Sequence, residues 1–240
     1  MNKTILIAGA SGLVGGRLLT NLKSSENHLV LLGRNQIASE KNINQIITDF
    51  DNIENLENNL NIDEVYISIG YKLTLFELLY LKKSKREEFR KVDFEYIRNI
   101  AQFAKRCGAK SIGLISAVGA NSKSFNTYLN VKGHIENEVS SMGFNKVVIG
   151  QPGHLLGLRS NEKIPFNVKI FEVITNLFGY LMFGPIEKYR NIDANKVAKG
   201  IINKMNESID GIHYLNFSNP GKPPKGNGIA EFKVASLLLP

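Results

Sequence analysis

The glycines at positions 9, 12 and 15, in the opening stretch KTILIAGASGLVGG, constrain this chain more than any other feature. They follow a strand-length apolar run, Thr4 to Ala8, and precede Leu13 to Lys23, where apolar residues recur at helical spacing. Glycine at a strand-to-helix junction lets the backbone turn tightly and come close to another group. The N-terminus of a helix presents N–H groups that no residue within the helix can satisfy, and these favour an anion. The spacing therefore reads as a pyrophosphate-binding turn, with Gly9, Ser11, Gly12, Leu13, Val14 and Gly15 as the expected contacts.

The pattern of the first 150 residues supports that reading. Short apolar runs at His28 to Leu32, Gln45 to Thr48, Glu64 to Ile69, Ser111 to Ile115 and Lys146 to Ile149 alternate with helical patterns at Glu88 to Cys107 and Phe125 to Met142. Runs that are apolar throughout suit strands covered on both faces. The expected fold class is α/β, a Rossmann-type doubly wound parallel sheet with a small C-terminal substrate-side region. At 240 residues and 43% hydrophobic content, one domain spanning residues 1–218 is expected. Within it, 151–190 reads as a substrate-side or lid region, because Ile164 to Pro185 is rich in Phe, Leu and Ile. Asn191 to Met205 gives one more helix, with Asp193 or Asn195 placed to cap it. A Pro/Gly-rich connection leads to a tail, 219–240, for which no structure is expected from the pattern.

Composition removes several function classes. The one cysteine, Cys107, excludes an internal disulfide framework and suits a reducing compartment, with the cytoplasm as the expectation. The four histidines never fall at ligand spacing, so no metal site is expected. The net charge of +8 is scattered, and its densest run, LKKSKREEFRK, contains two glutamates and reads as a solvated helical face, not a nucleic-acid patch. Lys169 and Glu172 interrupt the apolar 164–185 segment, which excludes an integral membrane span while leaving surface association open. Because the glycine stretch begins at Gly9, the first residues are expected to belong to the folded protein and not to a cleaved leader.

Two further positions point to chemistry. Arg34 ends the second strand, where an acidic side chain would hold a ribose 2′-hydroxyl; a guanidinium there fits a 2′-phosphate, so NADP(H) is the expected cofactor. Of the eight tyrosines only Tyr128 has a lysine four residues on, Lys132, which puts both side chains on one helix face. Ser116 ends the strand before them. This order resembles the short-chain dehydrogenase/reductase superfamily. The resemblance implies that Tyr128 donates a proton to a carbonyl receiving hydride, that Ser116 orients the carbonyl, and that Lys132 holds the nicotinamide ribose. A neighbouring ammonium is expected to draw the Tyr128 phenol down toward working pH.

The segments LIAGASGLVG, LLGRN, YLNVKG and GQPGHLLG narrow the likeness to the atypical Tat-interacting oxidoreductase group, related to NmrA-like proteins, over about residues 3 to 215. That resemblance implies further cofactor contacts at Asp49 (adenine amine), at Ser68, Ile69 and Gly70 (adenine ribose), and at Pro152 and Gly153 (carboxamide). Two positions depart from the group: Gln151 stands for an arginine, and Asp93 for an asparagine that supports a proton relay in many superfamily members. The expected function is an NADP(H)-dependent reductase of a small, apolar carbonyl compound, monomeric or homodimeric. The alternatives are an NADPH-sensing regulatory protein without turnover and an interfacial enzyme acting on a lipid-derived substrate. The sequence names no substrate.

Overall fold

A strand buried on both faces needs no polar alternation; the six runs read from the sequence all form strands, and all but the third, an edge strand, are largely buried. They are β1 (Thr4–Ala8), β2 (His28–Gly33), β3 (Ile43–Ile47), β4 (Glu64–Ile67), β5 (Ser111–Ile115) and β6 (Lys146–Gln151). The computed structural model describes residues 2–37, 43–57, 59–153, 155–156 and 192–217. A two-residue pair, β7 (Leu155–Leu156) with β8 (Ile192–Asp193), lies apart from the main sheet, and β9 (Gly211–Asn216) completes that sheet. The order is β3-β2-β1-β4-β5-β6-β9, every pairing parallel.

Helices cover both faces. On one, α1 (Leu13–Leu22) packs with α6 (Ala194–Asn206), and Leu18, Leu22, Val197 and Ile201 bury against Ile5, Ile7 and Leu31. On the other, α4 (Ile97–Arg106) and α5 (Thr127–Ser141) bury Ile97, Ile100, Phe103, Ile135 and Val139 against Leu6, Val65 and Ile112. The short α2 (Leu75–Leu79) and α3 (Lys83–Arg90) precede α4, and a π-helical turn, Lys91–Tyr96, joins α3 to it. After β1 the chain builds outward to β2 and β3, then returns to place β4 on the other side of β1. That reversal opens a crevice at the C-terminal ends of β1 and β4, where doubly wound sheets bind ligands.

The sequence reading differs from the structure in particulars. β4 ends at Ile67, two residues short of the expected Ile69, because Ser68 turns its hydroxyl to the carbonyls of Ala8 and Gly9. β9 was not expected: GIHYLN is an edge strand with four of its six residues exposed, so it lacks the apolar run of the others. The solvated helix is α3, but its Phe89 is fully buried. Of the two candidate caps, Asp193 is the one used, accepting from the amides of Asn195 and Lys196. Most of the expected lid region and all of the 219–240 tail lie outside the described residues. Among the described residues, no helix is long and apolar enough to cross a membrane.

Candidate active site

The glycine turn is tight for identifiable reasons. Gly9 has φ of +90°, a left-handed conformation, and a Cβ there would lie 2.8 Å from the Ser68 carbonyl carbon. A Cβ on Gly15 would sit 2.0 Å from the Gly9 oxygen and 2.5 Å from Ser68 Oγ. The turn is thus pressed against the end of β4, with the Gly12 amide donating to the Gly9 carbonyl at 2.8 Å. Gly12 caps α1 without a side chain, and no acidic residue stands in the first turn, so the amides of that turn are left for an anion.

The other expected positions follow the C-terminal ends of β2, β3, β4 and β6. The β1–β2 register, Ala8 opposite Leu32, sets exposed Arg34 level with Ala10 at the same sheet edge. Asp49 lies at the C-terminal end of β3, where its carboxylate accepts from the Asp51 amide at 3.4 Å and caps a short 3-10 turn. Ile69 and Gly70 follow Ser68 out of β4 toward the segment that holds Asp93. Pro152 is buried and accepts at its carbonyl from the Val118 amide (3.0 Å), which ties the loops after β5 and β6 together; Gly153 follows it.

The residues of the expected reactive centre sit on α5 and the ends of β5 and β6. Tyr128, Lys132 and Glu136 are four apart and line one side of α5. Their helix is anchored at its start by Asn126, whose side chain accepts from the Leu129 amide (3.0 Å) and donates to the carbonyls of Leu78 (2.8 Å) and Leu79 (3.0 Å). The loop after Ser116 then folds back on the same helix. The Asn121 amide donates to the Leu129 carbonyl (3.0 Å), and Asn130 Nδ2 to the Ser122 carbonyl (2.6 Å). Gly133 allows this contact, since a Cβ there would meet Ser122 N at 2.1 Å.

The electrostatics depart from the sequence expectation. The Tyr128 ring packs on Phe89, with centroids 5.8 Å apart, and burial raises its phenol above the ordinary value; Lys132 pulls it down while Asp93 pushes it up. The expected net lowering by Lys132 is therefore reversed. Lys132 Nζ forms an ion pair with Asp93 Oδ1 at 2.7 Å, both side chains almost wholly buried. Burial alone disfavours the ammonium, but Asp93, Tyr128 and Glu136 outweigh it and leave Lys132 above its ordinary value.

Glu136, which the sequence reading missed, is buried, and Gln151 Nε2 donates to both its carboxylate oxygens at 3.0 Å. Its continuation of the Tyr128–Lys132 spacing by four more residues was the available signal. Ser116 Oγ is buried with no group in hydrogen-bond geometry, yet it lies close enough to Glu136 to help lower that carboxyl. Burial dominates all the same and raises Glu136. A raised carboxyl costs the fold nothing below the unfolded value, about 4.3, and progressively more as pH climbs from there through the folded value. Glu136→Gln is therefore expected to raise the melting temperature at pH 8, with the gain vanishing near pH 4, as thermal melts across that range will read.

Residues 5–128 match the NAD dependent epimerase/dehydratase family. Protein HTATIP2 of Rattus norvegicus is 30% identical over 169 residues, covering 68% of this chain and 66% of the rat protein. Protein FMP52, mitochondrial, of Candida albicans is 30% identical over 216 residues, covering 85% of this chain and 89% of its own. The fold is that of a short chain dehydrogenase family protein from Francisella tularensis, with a TM-score of 0.63 at 15% identity over 90% of this chain and 97% of that one. The cytoplasmic expectation is corrected by these relatives, since the yeast proteins are described as mitochondrial. A single free cysteine separates oxidising from reducing compartments, but does not tell one reducing compartment from another.

Proposed function

This chain belongs to the NAD dependent epimerase/dehydratase family, as an atypical short-chain dehydrogenase/reductase, and from that premise we propose that it is an NADP(H)-dependent reductase of a small, apolar carbonyl compound. One observation carries the reading: Tyr128 and buried Lys132 stand on one side of α5, near the Ser116 end of β5, at the same sheet edge as an uncapped glycine turn. The fit to a dinucleotide rests on the backbone. The turn at Gly9, Gly12 and Gly15 leaves the first amides of α1 for a pyrophosphate, and side chains larger than hydrogen are excluded at Gly9 and Gly15.

A bound reduced nicotinamide supplies hydride. Tyr128, kept protonated by burial, supplies the proton that the carbonyl oxygen needs as charge develops on it. Ser116 Oγ, buried and unpartnered, gives that oxygen a second hydrogen bond. Asp93 occupies one donor of the Lys132 ammonium, which leaves others for ribose hydroxyls. Asp49, Ser68, Ile69 and Gly70 line the adenosine side, and Pro152 and Gly153 the carboxamide side. The yeast relatives' description makes mitochondria the compartment we propose.

Isothermal titration with NADPH, NADP, NADH and NAD tests the cofactor. Wild type is expected to prefer the phosphorylated pair, and Arg34→Ala to weaken NADPH about 10- to 100-fold, the range of a lost charged hydrogen bond, while NADH changes little. No binding of any of the four dinucleotides overturns the reading.

A further inference from the structure

We propose that Asp93 is a positioning residue that pins Lys132 beside Tyr128 and cancels its charge there, so that the site is built to deliver a proton and not to take one. The inference rests on the acid role proposed for Tyr128.

Asp93 is held at both oxygens. Oδ1 meets Lys132 Nζ at 2.7 Å, and Oδ2 accepts from the backbone amide of Tyr71 at 2.6 Å. The carboxylate is 2% exposed and sits within the π turn, a winding that recurs at functional positions and here aims a helix residue into the site. Desolvating two charges is costly, and a buried ion pair is weak as a stabilising device, so its presence beside the reactive tyrosine calls for another account.

The charges around Tyr128 supply it. Lys132 faces it from α5 and Asp93 from the π turn; Phe89 of α3 and Tyr71 after β4 present rings, the Tyr71 hydroxyl being engaged with Glu88. The ends of β5 and β6 contribute neutral Ser116 and Gln151, and the remaining acid, Glu136, faces Lys132. An ammonium alone would stabilise a phenolate. Paired at 2.7 Å with Asp93 its pull on the phenol is offset, so that burial, the largest influence, keeps the phenol protonated. In reduction the carbonyl carbon gains hydride from the reduced dinucleotide, the Tyr128 O–H bond breaks, and the new O–H forms on substrate. The phenolate left beside Asp93 is unfavourable and recovers its proton from water. The reverse reaction would need that phenolate at the outset, so alcohol oxidation is confined to higher pH.

A single-site titration tests this without a known substrate. Difluorotyrosine installed at position 128 titrates within the folded range and reports by fluorine NMR. Asp93→Asn is expected to lower its midpoint by about one unit or more, the size of an unmasked neighbouring charge, and Lys132→Met to raise it. Asp93→Asn with Lys132→Met is expected to return it to within about 0.3 units of wild type, since the two effects cancel. An unchanged midpoint in Asp93→Asn overturns the proposal. If that variant does not fold, the double variant, which buries no unpaired charge, decides: a midpoint displaced by about one unit or more overturns it. NADPH titration of the labelled protein that keeps both Asp93 and Lys132 separates the two ideas, because its failure to bind refutes the reductase reading while the NMR midpoints still judge the Asp93 pairing.

Discussion

Tyr128→Phe is expected to reduce turnover of any carbonyl compound the wild type reduces by about 10²- to 10⁴-fold, the usual contribution of a positioned acid. Phenylalanine keeps the ring that packs against Phe89, so the helix and its neighbours stay in place. NADPH binding, measured by titration, is expected to change little, because the proposed contacts of the dinucleotide are the glycine turn, Arg34 and Lys132, not the Tyr128 hydroxyl. The loss belongs in kcat more than in KM, since the hydroxyl acts as charge develops on oxygen. Turnover that survives the substitution removes Tyr128 as the acid and leaves the site with no other group in that position.

Gly133→Ala is expected to damage both the stability and the activity of the protein. A Cβ at Gly133 would lie 2.1 Å from Ser122 N, 2.3 Å from the Asn121 carbonyl carbon and 2.7 Å from Asn121 Cα. All three are backbone atoms, so no side chain can swing aside to relieve the overlap. Either α5 or the loop after Ser116 must move by an ångström or more. Overpacking of this kind costs about 1–3 kcal/mol or more, against a helix propensity gain for alanine of about 1 kcal/mol. A fall in melting temperature measured by calorimetry checks the first consequence. The second is functional: Ser116 begins the displaced loop and Tyr128 stands on the helix, so activity should fall further than stability alone explains. An alanine variant with wild-type stability would mean that the loop does not bear on α5 as described.

The sheet was legible because its strands are apolar throughout and separated by helix signals, and the glycine turn because strand, turn and helix follow in one short stretch. β9 escaped because an edge strand that pairs on one side needs no apolar run, and GIHYLN shows none. Tyr128, Lys132 and Ser116 could be picked out by order along the chain, but their electrostatics could not. Asp93 is 39 residues before Lys132 in the sequence, and only the packing of the π turn against α5 makes them an ion pair. The upward direction of the Tyr128 shift is set first by burial, and Asp93 adds to it against the pull of Lys132. Glu136 and Gln151 illustrate the same limit: each is ordinary by itself, and their meeting depends on β6 lying beside β5 under α5. The compartment was misread because a cysteine count carries too little information to decide it.

The π turn at Lys91–Tyr96 also fixes how long this part of the chain must be. Arg90 before it and Ile97 after it are both in right-handed helical conformation, so α3, the turn and α4 wind as one rod. Each residue of an α-helix advances about 100° around its axis, and the wider turn lets the two ends keep different angular settings. Downstream, Ile97, Ile100 and Phe103 face the sheet; upstream, Phe89 faces Tyr71 and Tyr128. Removing a single residue between them would close the turn into ordinary helix and abolish the winding that sets Asp93 against Lys132. Lys83 and Ser84 on the exposed surface of α3 are free to vary in identity, but the spacing between Phe89 and Ile97 is not free to vary by even one residue. In this segment the chain is specified by phase as much as by side chains.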